Sequence, residues 1–203
     1  MATAGRLTAA GGFAPTTTDR VLGATGIAGG VVLLVAFLPI QIPSDLNVGR
    51  LVLFNLGAIA VVVAAHRRHA LVDPRWAWLT TVPAVVTNAT HLVLTIAAAT
   101  RETPFAGDLG ILYFGAGLAM WLSDAWFGFV TARLGVLTRW GAAVLAIGSL
   151  LAILGMDRLG LTSPGNPTIF GPLALTGIAL NGLGWILLGV DLVRRPREAT
   201  RTS

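Results

Sequence analysis

Apolar positions along the chain gather into six long blocks separated by short polar segments. A bilayer's hydrocarbon core of ~30 Å needs about 20 predominantly apolar residues in a helix. On that measure the blocks predict an all-α, polytopic membrane protein: a bundle of six transmembrane helices in one domain. The crossings fall at 21–40, 48–66, 76–100, 109–132, 140–156 and 169–193. Residues 1–20 read as a flexible cytoplasmic leader and 194–203 as a basic cytoplasmic tail. The leader is not a secretory signal, because no apolar stretch of about 7–15 residues follows Arg6. Pro39 and Pro43, then Ser44, Asp45 and Asn47, break the first block from the second. The run His66-Arg67-Arg68-His69 with Asp73-Pro74 predicts a basic loop with solvated histidines. Another turn composition, LGLTSPGNP, occupies 159–167.

Composition sharpens the class. Of the 203 residues, 55% are hydrophobic and only 11% charged, and a soluble domain carries about 25% charged residues. The net charge of +5 comes from Arg alone, in short clusters between apolar blocks. With both termini inside, Arg6, Arg20, Arg67, Arg68, Arg75, Arg133, Arg139, Arg194, Arg195, Arg197 and Arg201 face the cytoplasm. Only Arg50, Arg101 and Arg158 face out, which obeys the positive-inside rule. The expected location is therefore the inner (plasma) membrane, with the lipid bilayer as partner. A basic face interleaved with exposed aromatics is missing, so nucleic-acid binding is excluded. The chain has no Cys, which excludes disulfides and thiolate chemistry.

The polar residues inside the blocks are the candidates for chemistry. Asp124 is the one acid deep in an apolar run, and an intramembrane charge marks a functional site by default. It shares a helix face with Tyr113, Gly117, Met120 and Phe127, while Trp121 and Trp126 flank that face. The third block holds a polar stripe of Thr87, Asn88, His91 and Thr95, and Pro83 there leaves a carbonyl free one turn back. Asn55 lies in the second block, and Asn181 and Trp185 in the sixth. At ~1.5 Å of rise per residue, His91 and Asp124 differ in depth by roughly 10 Å, too far for a direct pair. The expectation is a polar ladder: Asn55 and His91 on the outer side, Asn88 and Asn181 in the middle, Asp124 on the inner side. The bland alternative is interhelical hydrogen bonding, at ~0.6 kcal/mol per bond. Asp191 is expected to pair with Arg194 and Arg195 at the interface. His66 and His69 are spaced for a metal, but two adjacent arginines repel a cation, so no metal or cofactor is expected. Gly26 and Gly30, and Gly141, Gly148 and Gly155, form smooth helix faces that predict close packing on a neighbouring helix or, for a homo-oligomer or membrane partner, on another chain.

The stretch ARLGVLTRWG at 132–141, with the Gly-rich fifth block after it, resembles a broad group of six-helix bacterial membrane proteins frequent in actinobacteria. The resemblance implies the six-helix fold and a bacterial membrane, and carries over no catalytic residues. Three functions follow from the residues. The first is transport or permeation of a small solute or proton, with Asp124 as the proton site and His91 as its outer relay. Thr87, Asn88, Asn55, Tyr113, Met120, Trp121, Asn181 and Trp185 would line the path. The second is an intramembrane enzyme on a lipid-like or isoprenoid substrate. Asp124 would be its general acid, in a layout that resembles small membrane terpene cyclases. The third is a non-catalytic membrane subunit.

Overall fold

A computed structural model describes residues 15–36, 44–100, 107–155 and 171–194. The expected leader up to residue 14, the prolines at 39 and 43, the Gly-rich turn at 159–167 and the basic tail from 195 lie outside the described residues. Six helices and no strands make up the rest: α1 (Thr17–Ala36), α2 (Ser44–Val72), α3 (Pro74–Ala99), α4 (Gly107–Leu134), α5 (Arg139–Gly155) and α6 (Pro172–Val193). Four of them, α1, α2, α3 and α6, are long and apolar enough to cross a membrane. The helix α4 has the length, but Asp108, Ser123, Asp124 and Arg133 dilute its apolarity, and α5 is shorter, at 17 residues.

Several boundaries differ from the hydropathy blocks for local reasons. The helix α1 begins at Thr17, inside the expected leader, because a reciprocal cap starts it. The Thr16 hydroxyl accepts from the Asp19 amide (3.1 Å), and the Asp19 carboxylate accepts from the Thr16 amide (2.9 Å). The expected basic loop at 66–69 is helical, since α2 continues to Val72 and only Asp73 separates it from α3. Asp73 caps α3 by accepting from the Arg75 amide (2.9 Å), with Pro74 at the first helical position. The two histidines are not solvated loop residues. His66 Nδ1 meets the Thr81 hydroxyl (2.9 Å), and His69 is fully buried with Nε2 on the Thr131 hydroxyl (3.1 Å). Gly135, at φ 65°, ends α4 in the left-handed region.

Each helix packs on its neighbours in sequence, and α6 packs back on α1, so the six close into a ring. The helix α2 also touches α4 and α6, which places it partly inside. Glycines set the closest approaches. Gly29 of α1 lies against Gly57 of α2, and Gly23 and Gly30 of α1 lie against Gly189 and Gly182 of α6. On α5, Gly148 meets the Asn181 backbone and Gly155 meets Ala174, while Gly177 and Gly184 of α6 receive Ala152 and Leu145. The expected smooth faces are thus consumed within the chain, where dispersion contacts between backbones hold the helices together.

Polarity is inverted relative to a water-soluble bundle. Leu79, Val93, Ile111, Leu112 and Leu154 are exposed, while Asn55, Asn88, Asp124, Ser149 and Asn181 are buried. An outside this apolar suits a lipid surround, and polar groups turn inward to find partners. The carbonyl freed by Pro83 shows the same need. Leu79 O has no helix donor, and Trp126 Nε1 of α4 donates to it (3.2 Å).

Gly148→Val should disrupt the α5–α6 contact, because any Cβ there collides with the Asn181 backbone nitrogen. Overpacking of this kind costs about 1–3 kcal/mol or more. Thermal unfolding in detergent should show a marked loss for Gly148→Val and none for Gly115→Ala, where a Cβ meets nothing. Equal stability of the two variants would contradict the packing.

Candidate functional site

The polar residues of α3, α4, α5 and α6 converge on Asp124, which is fully buried inside the ring. Asn88 Nδ2 donates both to Asp124 Oδ1 (3.0 Å) and to the Ala84 carbonyl one turn back (2.9 Å). These two bonds fix the amide orientation and leave Asn88 Oδ1 buried without a partner. Beside this pair, the Thr87 and Ser123 hydroxyls join at 2.6 Å. From α6, the side chains of Asn181 and Trp185 face the same carboxyl. Asn181 Nδ2 donates to Ser149 Oγ (2.9 Å), and Ser149 donates in turn to Leu145 O (2.8 Å). Trp185 stacks on Phe127 with ring centres 5.7 Å apart.

The hydrogen-bond inventory of this cluster does not balance. Asp124 Oδ2, Asn88 Oδ1 and Asn181 Oδ1 are buried acceptors without partners, and Trp185 Nε1 is a buried donor without one. Against these three acceptors stand two donors that face the carboxyl, Trp185 Nε1 and the second Nδ2 hydrogen of Asn181, so the cluster is one donor short. Protonating the carboxyl converts one acceptor into a donor, which leaves the two amide oxygens with donors to spare. Among the described residues no cation pairs with Asp124, since the one ion pair there joins Arg68 to Asp191 (3.8 Å). A buried polar group without a partner costs about 1–3 kcal/mol.

A second polar group stands toward the N-terminal end of α4. His91 Nδ1 meets Asn55 Oδ1 (3.3 Å), and Asn55 Nδ2 donates to Leu51 O (2.6 Å). The His91 ring lies 4.8 Å from that of Tyr113, whose hydroxyl is engaged with Thr95. Thr95 donates to the His91 carbonyl (2.8 Å). A cavity of about 100 Å³ opens beside His91 and Tyr113, with Phe54, Met120, Trp121 and Ile178 among its walls. Trp121 stacks with Phe54 at 6.5 Å.

The expected ladder therefore has two tiers instead of three. Asn55 and His91 share one tier, with Tyr113, Met120 and Trp121 around it. Asn88, Asp124, Asn181, Trp185 and Thr87 share the other. The expected step between Asn88 and Asp124 vanishes, because the antiparallel α3 and α4 bring the two side chains level and within hydrogen-bond distance. No hydrogen bond or ion pair joins His91 to Asp124 among the described residues. Asp191, expected beside Arg194 and Arg195, has Arg68 as its ion-pair partner among the described residues, which leave out Arg195. Its carboxylate reaches Arg68 of α2 and accepts from the Thr138 amide (3.1 Å) at the start of α5, where a negative charge suits the helix dipole. Among the described residues no group of three or more His, Asp or Glu is placed to hold a metal.

Two members of this arrangement are not singled out by sequence reasoning, and a third, His69, is marked there only as a solvated loop residue. Ser123 precedes Asp124, and Ser149 follows Gly148 on the smooth face of α5. His69, stacked on Phe127 at 5.6 Å, sits two turns beyond Asp124 along the buried face of α4. Ser123 and Ser149 each adjoin a residue that was marked, and that adjacency is the available signal. A fully buried histidine directly after two arginines in a polar run carries none.

Asn88→Ala should strip Asp124 Oδ1 of its donor and destabilise the fold by about 1–3 kcal/mol. In a double-mutant cycle with Asp124→Ala, thermal unfolding in detergent should show a coupling of about 0.5–3 kcal/mol. Strict additivity would mean that the two side chains do not act together.

No protein-family model matches the chain, and neither a curated protein nor a solved structure shows significant similarity to it.

Proposed function

We propose that the chain is an integral protein of the bacterial plasma membrane, with six crossings and both termini in the cytoplasm, that moves protons or a small solute coupled to them. Several observations support the six crossings. The helices α4 and α5 stand in the same ring as the four long apolar helices, flanked by α3 and α6. At ~1.5 Å per residue, the 17 residues of α5 reach ~26 Å, close to a thin bilayer core. The arginine distribution supports the orientation.

One observation carries the proton reading: a fully buried carboxyl held only by neutral groups, in a cluster short of one donor. An arginine beside it would lock the carboxylate. Amide, indole and hydroxyl neighbours instead let the group take up a proton and release it. The two tiers give approaches from opposite sides. His91 and its cavity lie on the N-terminal side of Asp124 along α4, and the His69–Thr131 pair lies on the C-terminal side, the cytoplasmic one in this reading. A proton passing from one side to the other would use Asp124 as its stop.

A second reading has its own support. Phe54, Tyr113 and Trp121 around the cavity suit an intramembrane enzyme that acts on a lipid-like or isoprenoid substrate, with Asp124 as general acid. It ranks lower because Asp124 does not line that cavity.

The test is proton flux in liposomes loaded with a pH-sensitive dye. Wild-type protein should collapse an imposed pH gradient at least tenfold faster than Asp124→Asn, at equal folded yield. Asp124→Glu should retain part of the flux. A flat wild-type response removes the proton reading. A folded yield for Asp124→Asn that falls together with the flux assigns Asp124 to structure instead.

A further inference from the structure

The cavity beside His91 is separate from the Asp124 cluster, and its walls say what would fit there. Asn55 uses its Nδ2 hydrogens on Leu51 O, so the atom it presents to His91 is the acceptor Oδ1. The imidazole must then carry its proton on Nδ1 and donate it. That fixes the tautomer and leaves Nε2 as a bare acceptor. Nε2 lies on the side of Gly117, where a Cβ would sit 3.8 Å from it, and Gly117 lines the same cavity. Two other side chains of the lining carry a polar atom, Trp121 and Tyr113, and the Tyr113 hydroxyl is engaged with Thr95. The rest of the wall is aliphatic or aromatic, with no acid or arginine in it. A charged guest would find no counter-ion, and a guest without a donor would leave Nε2 unanswered.

Size narrows the class further. A dry cavity of ~150 Å³ takes up benzene. On that scale a cavity of about 100 Å³ encloses about four heavy atoms, and because it is open on one side a compact body of about five or six can seat there with one end in the mouth. We infer that this cavity is a binding site for a neutral alcohol, its hydroxyl donating to His91 Nε2 and its short branched or unsaturated carbon body packed among Phe54, Met120, Trp121 and Ile178. The same chemistry is offered by a free five-carbon alcohol and by the hydroxyl end of a long-chain isoprenoid alcohol in the bilayer. The site stands apart from the proposed proton stop, since Asp124 does not line it.

The experiment uses the full chain in detergent, labelled with ¹⁵N at histidine, and three probes. These are 3-methylbut-2-en-1-ol, its methyl ether, which keeps the body and lacks the donor, and geranylgeraniol. The short alcohol should move the His91 Nε2 resonance and bind at least tenfold more tightly than the ether. Comparable binding of the ether and the alcohol overturns the hydrogen-bond assignment, and an unmoved His91 resonance with all three overturns the site. Binding of geranylgeraniol as well as the short alcohol identifies the membrane lipid as the source. Binding of the short alcohol alone identifies the free molecule. Gly117→Leu, which fills the space beside Nε2, should abolish binding of all three, and His91→Phe should erase the preference of alcohol over ether. Asp124→Asn should bind the alcohol as the wild type does, so a failure of the proton-flux test and a failure here are told apart. The wild-type comparison of alcohol with ether stands even where a variant does not fold.

Discussion

A carboxyl buried inside an apolar bundle must be answered by hydrogen bonds from other helices, and the interior of this ring is arranged around that demand. Asn88 reaches Asp124 from α3, while Asn181 and Trp185 face it from α6. Each of these side chains is oriented by a second contact. Ala84 O holds Asn88, Ser149 holds Asn181 and Phe127 holds Trp185. Such supporting contacts limit rotamer freedom, so the cluster keeps its geometry without a charged partner. What remains is a shortage of one donor, which a proton can supply.

The glycine contacts determine where those side chains fall. On α6 the backbone touches α1 through Gly182 and Gly189, and α5 through Gly177 and Gly184. With backbones so close, the helix has almost no freedom to slide or rotate. Asn181 then has its backbone against Gly148 and its amide on Ser149, and Trp185 is fully buried one turn on. Lipid tails compete with apolar side chains on equal terms, so such close backbone packing is an effective way to fix register in a membrane. A carboxyl site that depends on α6 therefore depends on small residues with no chemistry of their own.

Much of this was legible in the chain. Hydropathy alone located all six helices, the period of three and four placed Asp124 on one face with Met120 and Phe127, and the seven-residue glycine spacing marked the contact face of α5. The misses have one physical origin, which is that periodicity describes a helix by itself and says nothing of the register between helices. Depth counting placed Asn88 and Asp124 on different rungs, yet side chains on antiparallel neighbours bridge the remaining offset. His66 and His69 looked like a loop because arginines separate them. They are helical because Thr81 and Thr131, distant in sequence, accept or donate to their rings. Asp191 looked like a partner of the arginines one turn away, while tertiary packing gave it to Arg68 and to the start of α5.

The two tiers are close along α4 but differ in how firmly they are held. The C-terminal half of α4 is packed tightly: Gly128 is pressed against Ala142 and Ala146, and Phe127, Val130 and Thr131 are fully or almost fully buried. The N-terminal half has space around it. Gly115 meets nothing, Gly117 meets only the His91 ring at ordinary contact distance, and the cavity lies alongside. Met120 sits at the change between the two, lines the cavity and, like Trp121, is a single turn from Asp124. Methionine has three rotatable bonds and no polar group to satisfy, so it can change rotamer at little cost. A link between the His91 tier and the carboxyl therefore needs no rearrangement of the glycine-locked helices. It needs only the loosely held half of α4 and the Met120 side chain to shift, while α6 keeps Asn181 and Trp185 fixed on the carboxyl.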